Sequence, residues 1–135
     1  DILKEQNEKS KKKNLTTFDS LHKIKEIGLK TKYALEQGDI DKLGEFLHEH
    51  WLTKKQLSTA VSNPFIDECY NLARKNGALG GKIMGAGGGG FFMFYHNGTN
   101  KEKSAFVKTL SKKSLKKMRF HFDFEGSKIL FNSKM

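Results

Sequence analysis

The sequence predicts an α+β sandwich, with helices packed on one face of a mostly antiparallel four-stranded sheet. Three observations point there. Residues 15–76 carry apolar side chains at three- and four-residue steps, the helical period. Phe91 to Tyr95 form a short, continuous apolar run, as in a buried strand. Residues 118–125 alternate strictly, with Met118, Phe120, Phe122 and Phe124 against Arg119, His121, Asp123 and Glu125. That period of two marks a strand with one face buried.

In chain order, residues 1–14 (DILKEQNEKSKKKN) are polar and read as a tail or the end of a preceding helix. Phe18, Leu21, Ile24 and Ile27 recur every third residue, so a helix with that stripe buried is expected, with Thr17 or Asp19 helping to cap its start and Gly38-Asp39 stopping it. Ile40, Leu43, Phe46, Leu47, His50 and Trp51 share one face of a second helix reaching about Leu57. Ser62-Asn63-Pro64 starts a third helix: a capping side chain, then a proline whose missing N–H costs nothing in the first turn. Its buried face is Ile66, Cys69, Tyr70 and Ala73, and Asn76-Gly77 caps its end. An extended Leu79–Met84, the Phe91–Tyr95 strand, a turn at His96-Asn97-Gly98 and a helix over residues 101–113 follow. Gly126-Ser127 then turns the 118–125 strand into a partner at Ile129 to Phe131. Nothing between residues 15 and 132 reads as a linker, so these form one domain.

Composition excludes several classes. The single cysteine of the 135 residues rules out an internal disulfide framework and a cysteine-pair zinc site. No apolar run approaches the roughly 20 residues that cross a bilayer, and the charged first residues carry no signal peptide. A reducing, cytoplasmic setting is the expectation, with no membrane partner. The net charge of +10 invites polyanions. It is carried almost wholly by scattered lysines, however, with arginine only at Arg74 and Arg119 and no nucleic-acid-binding signature. The pattern fits a lysine-dressed surface better than a nucleic-acid interface.

Several chemically suggestive residues have structural readings. His48-Glu49-His50 lacks the i, i+4 spacing of helical zinc ligands, so His50 is expected to pack beside Trp51. Cys69 sits on an apolar helix face, a buried structural thiol. Lys54 and Lys55 read as a solvated helix end that a sugar phosphate would also suit. Asp67 and Glu68 favour the dipole of the helix they begin. His121 reads as surface, and Phe120, Phe122 and Phe124 as core.

The densest signal is GGKIMGAGGGG, which holds seven of the thirteen glycines in residues 80–90. Each glycine costs about 0.5–1 kcal/mol in regular structure, so such a run needs a reason. Positive φ, close approach of another group, or a nest of N–H donors for an anion are the available ones. Gly85, Gly87 and Gly90 match G-x-G-x-x-G, but they run into a strand rather than opening a helix, which argues against a dinucleotide fold. Ile83 after Gly81-Lys82 breaks the phosphate-loop pattern that needs Ser or Thr.

The stretch GALGGKIMGAGGGGFFMFY (77–95) resembles the third conserved motif of the GHMP small-molecule kinases. With GEFLHEHWLTKKQLSTAVSNPFIDECYNLARKNGA (44–78) it is similar to the C-terminal region of bacterial heptose kinases. Those enzymes act on D-glycero-D-manno-heptose 7-phosphate. The resemblance implies a ferredoxin-like C-terminal domain over residues 15–135 of a two-domain, ATP- and Mg2+-dependent kinase. Its N-terminal ATP-binding domain, with the phosphate loop, magnesium ligands and catalytic acid, is not in this chain and would be its partner. No catalytic residue and no metal ligand is therefore assigned here, and this chain alone is expected to be inactive. By resemblance, Gly85, Ala86, Gly87, Gly88, Gly89 and Gly90, with Lys82, lie beside the nucleotide phosphates and the acceptor sugar phosphate. The expected reaction is γ-phosphoryl transfer to a sugar hydroxyl in bacterial lipopolysaccharide or capsule synthesis. A non-catalytic basic α+β domain binding nucleic acid or a protein partner is the rival reading.

Overall fold

A computed structural model describes residues 3–4, 15–85 and 89–127. Its elements are α1 (Leu15–Glu36), α2 (Ile40–Leu57), a 3-10 turn (Thr59–Val61), α3 (Pro64–Lys75), β1 (Gly80–Met84), β2 (Phe91–Tyr95) and α4 (Asn100–Ser111). Local chemistry sets most boundaries. The Asp39 side chain accepts from Lys42 N at 3.3 Å to open α2. Asn63 accepts from Ile66 N at 2.9 Å with Pro64 following, so α3 starts as the sequence requires. It ends at Asn76, with Gly77 at φ 102°. Thr99 and Glu102 form a reciprocal capping box at α4, a T-x-x-E signal the sequence reading passed over.

The core is built where the helices meet the hairpin. Trp51 from α2, Val61, Ile66 and Tyr70 from α3 and Ile83 from β1 form one buried cluster, with Phe92 and Phe94 packed against it. Each large apolar side chain so buried contributes about 1.5–3 kcal/mol. The predicted buried face of α3 is found intact, Cys69 and Ala73 being fully inaccessible. Phe94 meets both Tyr70 (ring centroids 5.8 Å apart) and Phe106 of α4 (5.9 Å), so α3 and α4 cover the same face of the hairpin. Ala73, Ala78 and Leu110 make a second cluster there. At the other end, Asp41 of α2 accepts from the Tyr95 hydroxyl at 2.8 Å and from Asn97 Nδ2 at 3.1 Å.

Strands β1 and β2 pair antiparallel, Gly80 opposite Tyr95 and Met84 opposite Phe91. Among the described residues the sheet has these two strands, not the four expected. Residues 118–123 lie in no strand, and Phe120, Phe122 and Phe124 are exposed, Phe124 by 93%. Their rings share one side, 5.5 and 6.4 Å apart, as the alternation demands. Alternation orients side chains; a strand also needs a partner backbone. Within the described residues this stretch has none, and an Asp123 side chain accepting from Glu125 N bends it at its end. The expected partner at Ile129 to Phe131 lies outside the described residues, as does the tail at 5–14.

Helix α1 keeps Ile27 and, in part, Ile24 of the expected stripe buried but departs from it nearer its start. Thr17, Ser20, Ile27 and Ala34 are buried, while Phe18 and Leu21 are exposed. The helix already runs at Leu15, so neither Thr17 nor Asp19 caps it.

Candidate functional site

The glycine run divides into two parts with different tasks. Gly80 lies against α2: a Cβ there would collide with Gly44 O and stand 2.8 Å from His48 N, both backbone atoms. On the helix side, a Cβ on Gly44 would come within 2.7 Å of Leu79 Cβ and of the Tyr95 ring. These glycines let helix and strand touch. The second part, Gly85 to Gly90, joins β1 to β2 at the tip of the hairpin. Gly85 and Gly90 have φ of 126° and 112°, a region closed to ordinary side chains. Gly85, Gly89 and Gly90 are exposed, and a Cβ on Gly89 would meet nothing within 4 Å. A Cβ on Gly90, by contrast, would stand 2.5 Å from Met84 O, so that glycine also closes the hairpin. Ala86, Gly87 and Gly88 lie outside the described residues.

Lys82 follows from the pleat. It is two residues from Gly80 and shares its side of β1, so the approach that sets Gly80 on α2 sends Lys82 toward later turns of that helix. There it lines a small cleft with His50, Trp51, Lys54, Val61 and Ile83. His50 and Lys54, one helical turn apart, share a face of α2. Burial comes first in pushing the His50 imidazole below its usual range, then the charges of Lys82 and Lys54. Burial likewise pushes Lys54 down, with Lys82 adding to it.

The other singled-out residues are structural. Lys55 pairs with Asp67 at 2.6 Å, and Asp67 also accepts from Ser62 Oγ at 2.8 Å. Adjacent lysines thus part company, Lys55 neutralised and Lys54 turned into the cleft. Glu68 pairs with Lys113 rather than only facing its own helix end. His48 Nδ1 lies 2.9 Å from the Tyr70 hydroxyl and its ring stacks on Tyr70, so it belongs to the core. Burial pushes the Cys69 thiol up, an inert setting. His121 is exposed, as expected. Sequence spacing does not join His50, Lys54 and Lys82, because 32 positions separate His50 from Lys82 and only the helix–strand contact brings them together.

Comparison with known proteins places the chain in a family and finds a similar fold. Residues 31–110 match the family described as GHMP kinases C terminal. The chain is 36% identical over 124 residues to the D-glycero-alpha-D-manno-heptose 7-phosphate kinase of Campylobacter jejuni, covering 92% of this chain and 36% of that protein. It is 29% identical over 86 residues to the bifunctional fucokinase/GDP-fucose pyrophosphorylase of Arabidopsis thaliana, covering 64% of this chain and 8% of that one. In structure it resembles the mevalonate kinase of L. major solved with R-mevalonate, at a TM-score of 0.74 and 22% identity, over 83% of this chain and 33% of that one. The chain thus spans about a third or less of these relatives. By sequence and by fold, the chain belongs to the GHMP kinases and matches them in their C-terminal part.

Proposed function

We propose that this chain is the C-terminal domain of an ATP-dependent sugar kinase. In this reading the γ-phosphoryl group of ATP passes to a hydroxyl of a sugar phosphate, D-glycero-D-manno-heptose 7-phosphate being the first choice, in the bacterial cytoplasm. The product would serve surface-polysaccharide synthesis. The observation carrying the reading is the 36% identity to a heptose 7-phosphate kinase along nearly the whole chain. The exposed glycine tip suits the role. Phosphoryl transfer needs positioning and charge neutralisation more than covalent help. A loop without side chains lets the reacting phosphates come close and offers backbone N–H groups to them.

Magnesium, when bound, would neutralise charge on the donor phosphates. Among the described residues no three His, Cys, Asp or Glu side chains gather as a metal site. No step through magnesium is therefore assigned to this chain, and the reading gives its ligands and the catalytic residues to an N-terminal domain. Residues 15–135 would form the C-terminal domain against it. Lys82 and Gly85 to Gly90 would line the nucleotide and acceptor side.

The test is magnesium–ATP turnover by the full-length kinase on a panel of sugars and sugar phosphates headed by heptose 7-phosphate. Phosphorylation of heptose 7-phosphate is expected. A folded full-length protein that phosphorylates nothing on the panel would overturn the reading and return the fold to a binding role.

A further inference from the structure

We infer that His50, Lys54 and Lys82 form a binding site for the phosphomonoester that the acceptor sugar already carries. The inference rests on the sugar-kinase reading and names the part of the acceptor this chain holds. Two ammonium groups and an imidazole line one cleft whose remaining walls are Trp51, Val61 and Ile83. All three are half-buried. The nearby acids are already engaged: Glu49 pairs with Lys23 at 3.6 Å, and Asp67 with Lys55 at 2.6 Å. Among the described residues neither Lys54 nor Lys82 has a carboxylate within ion-pair distance. Two like charges held together without a counter-charge cost stability, an expense usually found where a ligand supplies the missing charge.

A phosphate dianion supplies it. The cavity itself is about 10 Å³, room for one water, so the anion sits at its mouth, where the lysines reach it as mobile point charges. Position favours the acceptor over the nucleotide. Lys82 precedes Gly85 by three residues, about 10 Å along an extended chain. A monosaccharide anchored by its phosphate at Lys82 would present its far end at the glycine tip, where the proposed transfer occurs. ATP phosphates at the same lysines would leave that tip empty.

The experiment uses the full-length kinase and the variants Lys54→Gln, Lys82→Gln, their double, and Lys54→Arg. Titration calorimetry with inorganic phosphate, without nucleotide, is expected to show binding by wild type that the double variant loses. Turnover is expected to show the KM for the sugar phosphate raised about tenfold or more in Lys54→Gln, with the KM for ATP unchanged and recovery in Lys54→Arg. Removing one of two repelling charges is expected to leave Tm equal or higher, which separates the effect from misfolding. Phosphate binding unchanged in the double variant, or none in wild type, would overturn the inference. So would a rise in the KM for ATP alone, which would assign the anion to the nucleotide. Turnover of a sugar phosphate with an unaltered acceptor KM would sink this inference and leave the kinase reading standing. Loss of phosphate binding in a protein that turns over no sugar would do the reverse.

Discussion

His50 faces a cation one turn along its own helix and another from the neighbouring strand, in a setting that also strips water from it. Its neutral form is favoured, so its folded pKa lies below the ordinary 6.5. The unfolded chain then takes up the proton first, and stability falls as pH drops below 6.5 toward the depressed value. His48, lowered first by burial and then by Arg74, acts in the same direction. We expect Tm to decline as pH falls through 6.5 and below, and His50→Gln to flatten that decline. An unchanged slope in the variant would contradict the burial of a neutral imidazole. Asp67 behaves oppositely in kind: its hydrogen bond from Lys55 holds the carboxyl below its usual range. Its contribution is kept above that range and lost only as pH falls through it, well below the histidine window.

Between elements, the contact that decides the architecture is α2 against β1. At Gly80 even one methyl would overlap backbone of α2, which no side-chain rotation relieves. Gly80→Ala is expected to cost about 3 kcal/mol or more, read as a fall in the urea midpoint. Gly89→Ala adds the same methyl to open space at the hairpin tip and is expected to stay within about 0.5 kcal/mol of wild type. Equal losses in the two would mean that the glycine run has one role rather than two. The caps show how much of each helix is local chemistry. Asn63 before Pro64 and the Thr99–Glu102 box each satisfy N–H groups that the helix cannot, worth about 1 kcal/mol apiece. The buried face of α1 was misjudged from its pattern because Phe18 and Leu21 lie one position round from Thr17 and Ser20. Buried Thr17 and Ser20 carry no hydropathy signal.

Across the molecule, order is concentrated in the clusters around Trp51, Tyr70 and Ala73, while residues 115–127 carry no helix or strand. A wide apolar groove of about 700 Å³, walled by β2, α4 and residues 114–120, separates that stretch from the hairpin. Hydrogen exchange on this chain should find the β1 amides among the slowest and those of 116–123 near unprotected rates. Strong protection over 116–123 would mean that it pairs as a strand after all. The two-stranded result also shows what sequence can reach. The α3 face, the positions of both strands and the proline-led helix start were legible, because each depends on residues within a few positions of one another, but β2, expected to be buried, is exposed at Phe91 and half-buried from Phe92 to Tyr95. Among the described residues the Phe120–Phe124 alternation orients rings without a partner backbone, and the partner expected for it at Ile129 to Phe131 lies outside them. The cleft of His50, Lys54 and Lys82 was not legible, since Lys54 and Lys55 are equivalent until Asp67 takes one of them. Sequence by itself determined the order of the described elements, the start of α3 and the family of the chain, through local hydrogen bonding and a long run of matching residues. Tertiary structure alone decided which glycines are packing contacts and which of Lys54 and Lys55 is neutralised, because the first depends on how closely α2 approaches β1 and the second on where α3 places Asp67.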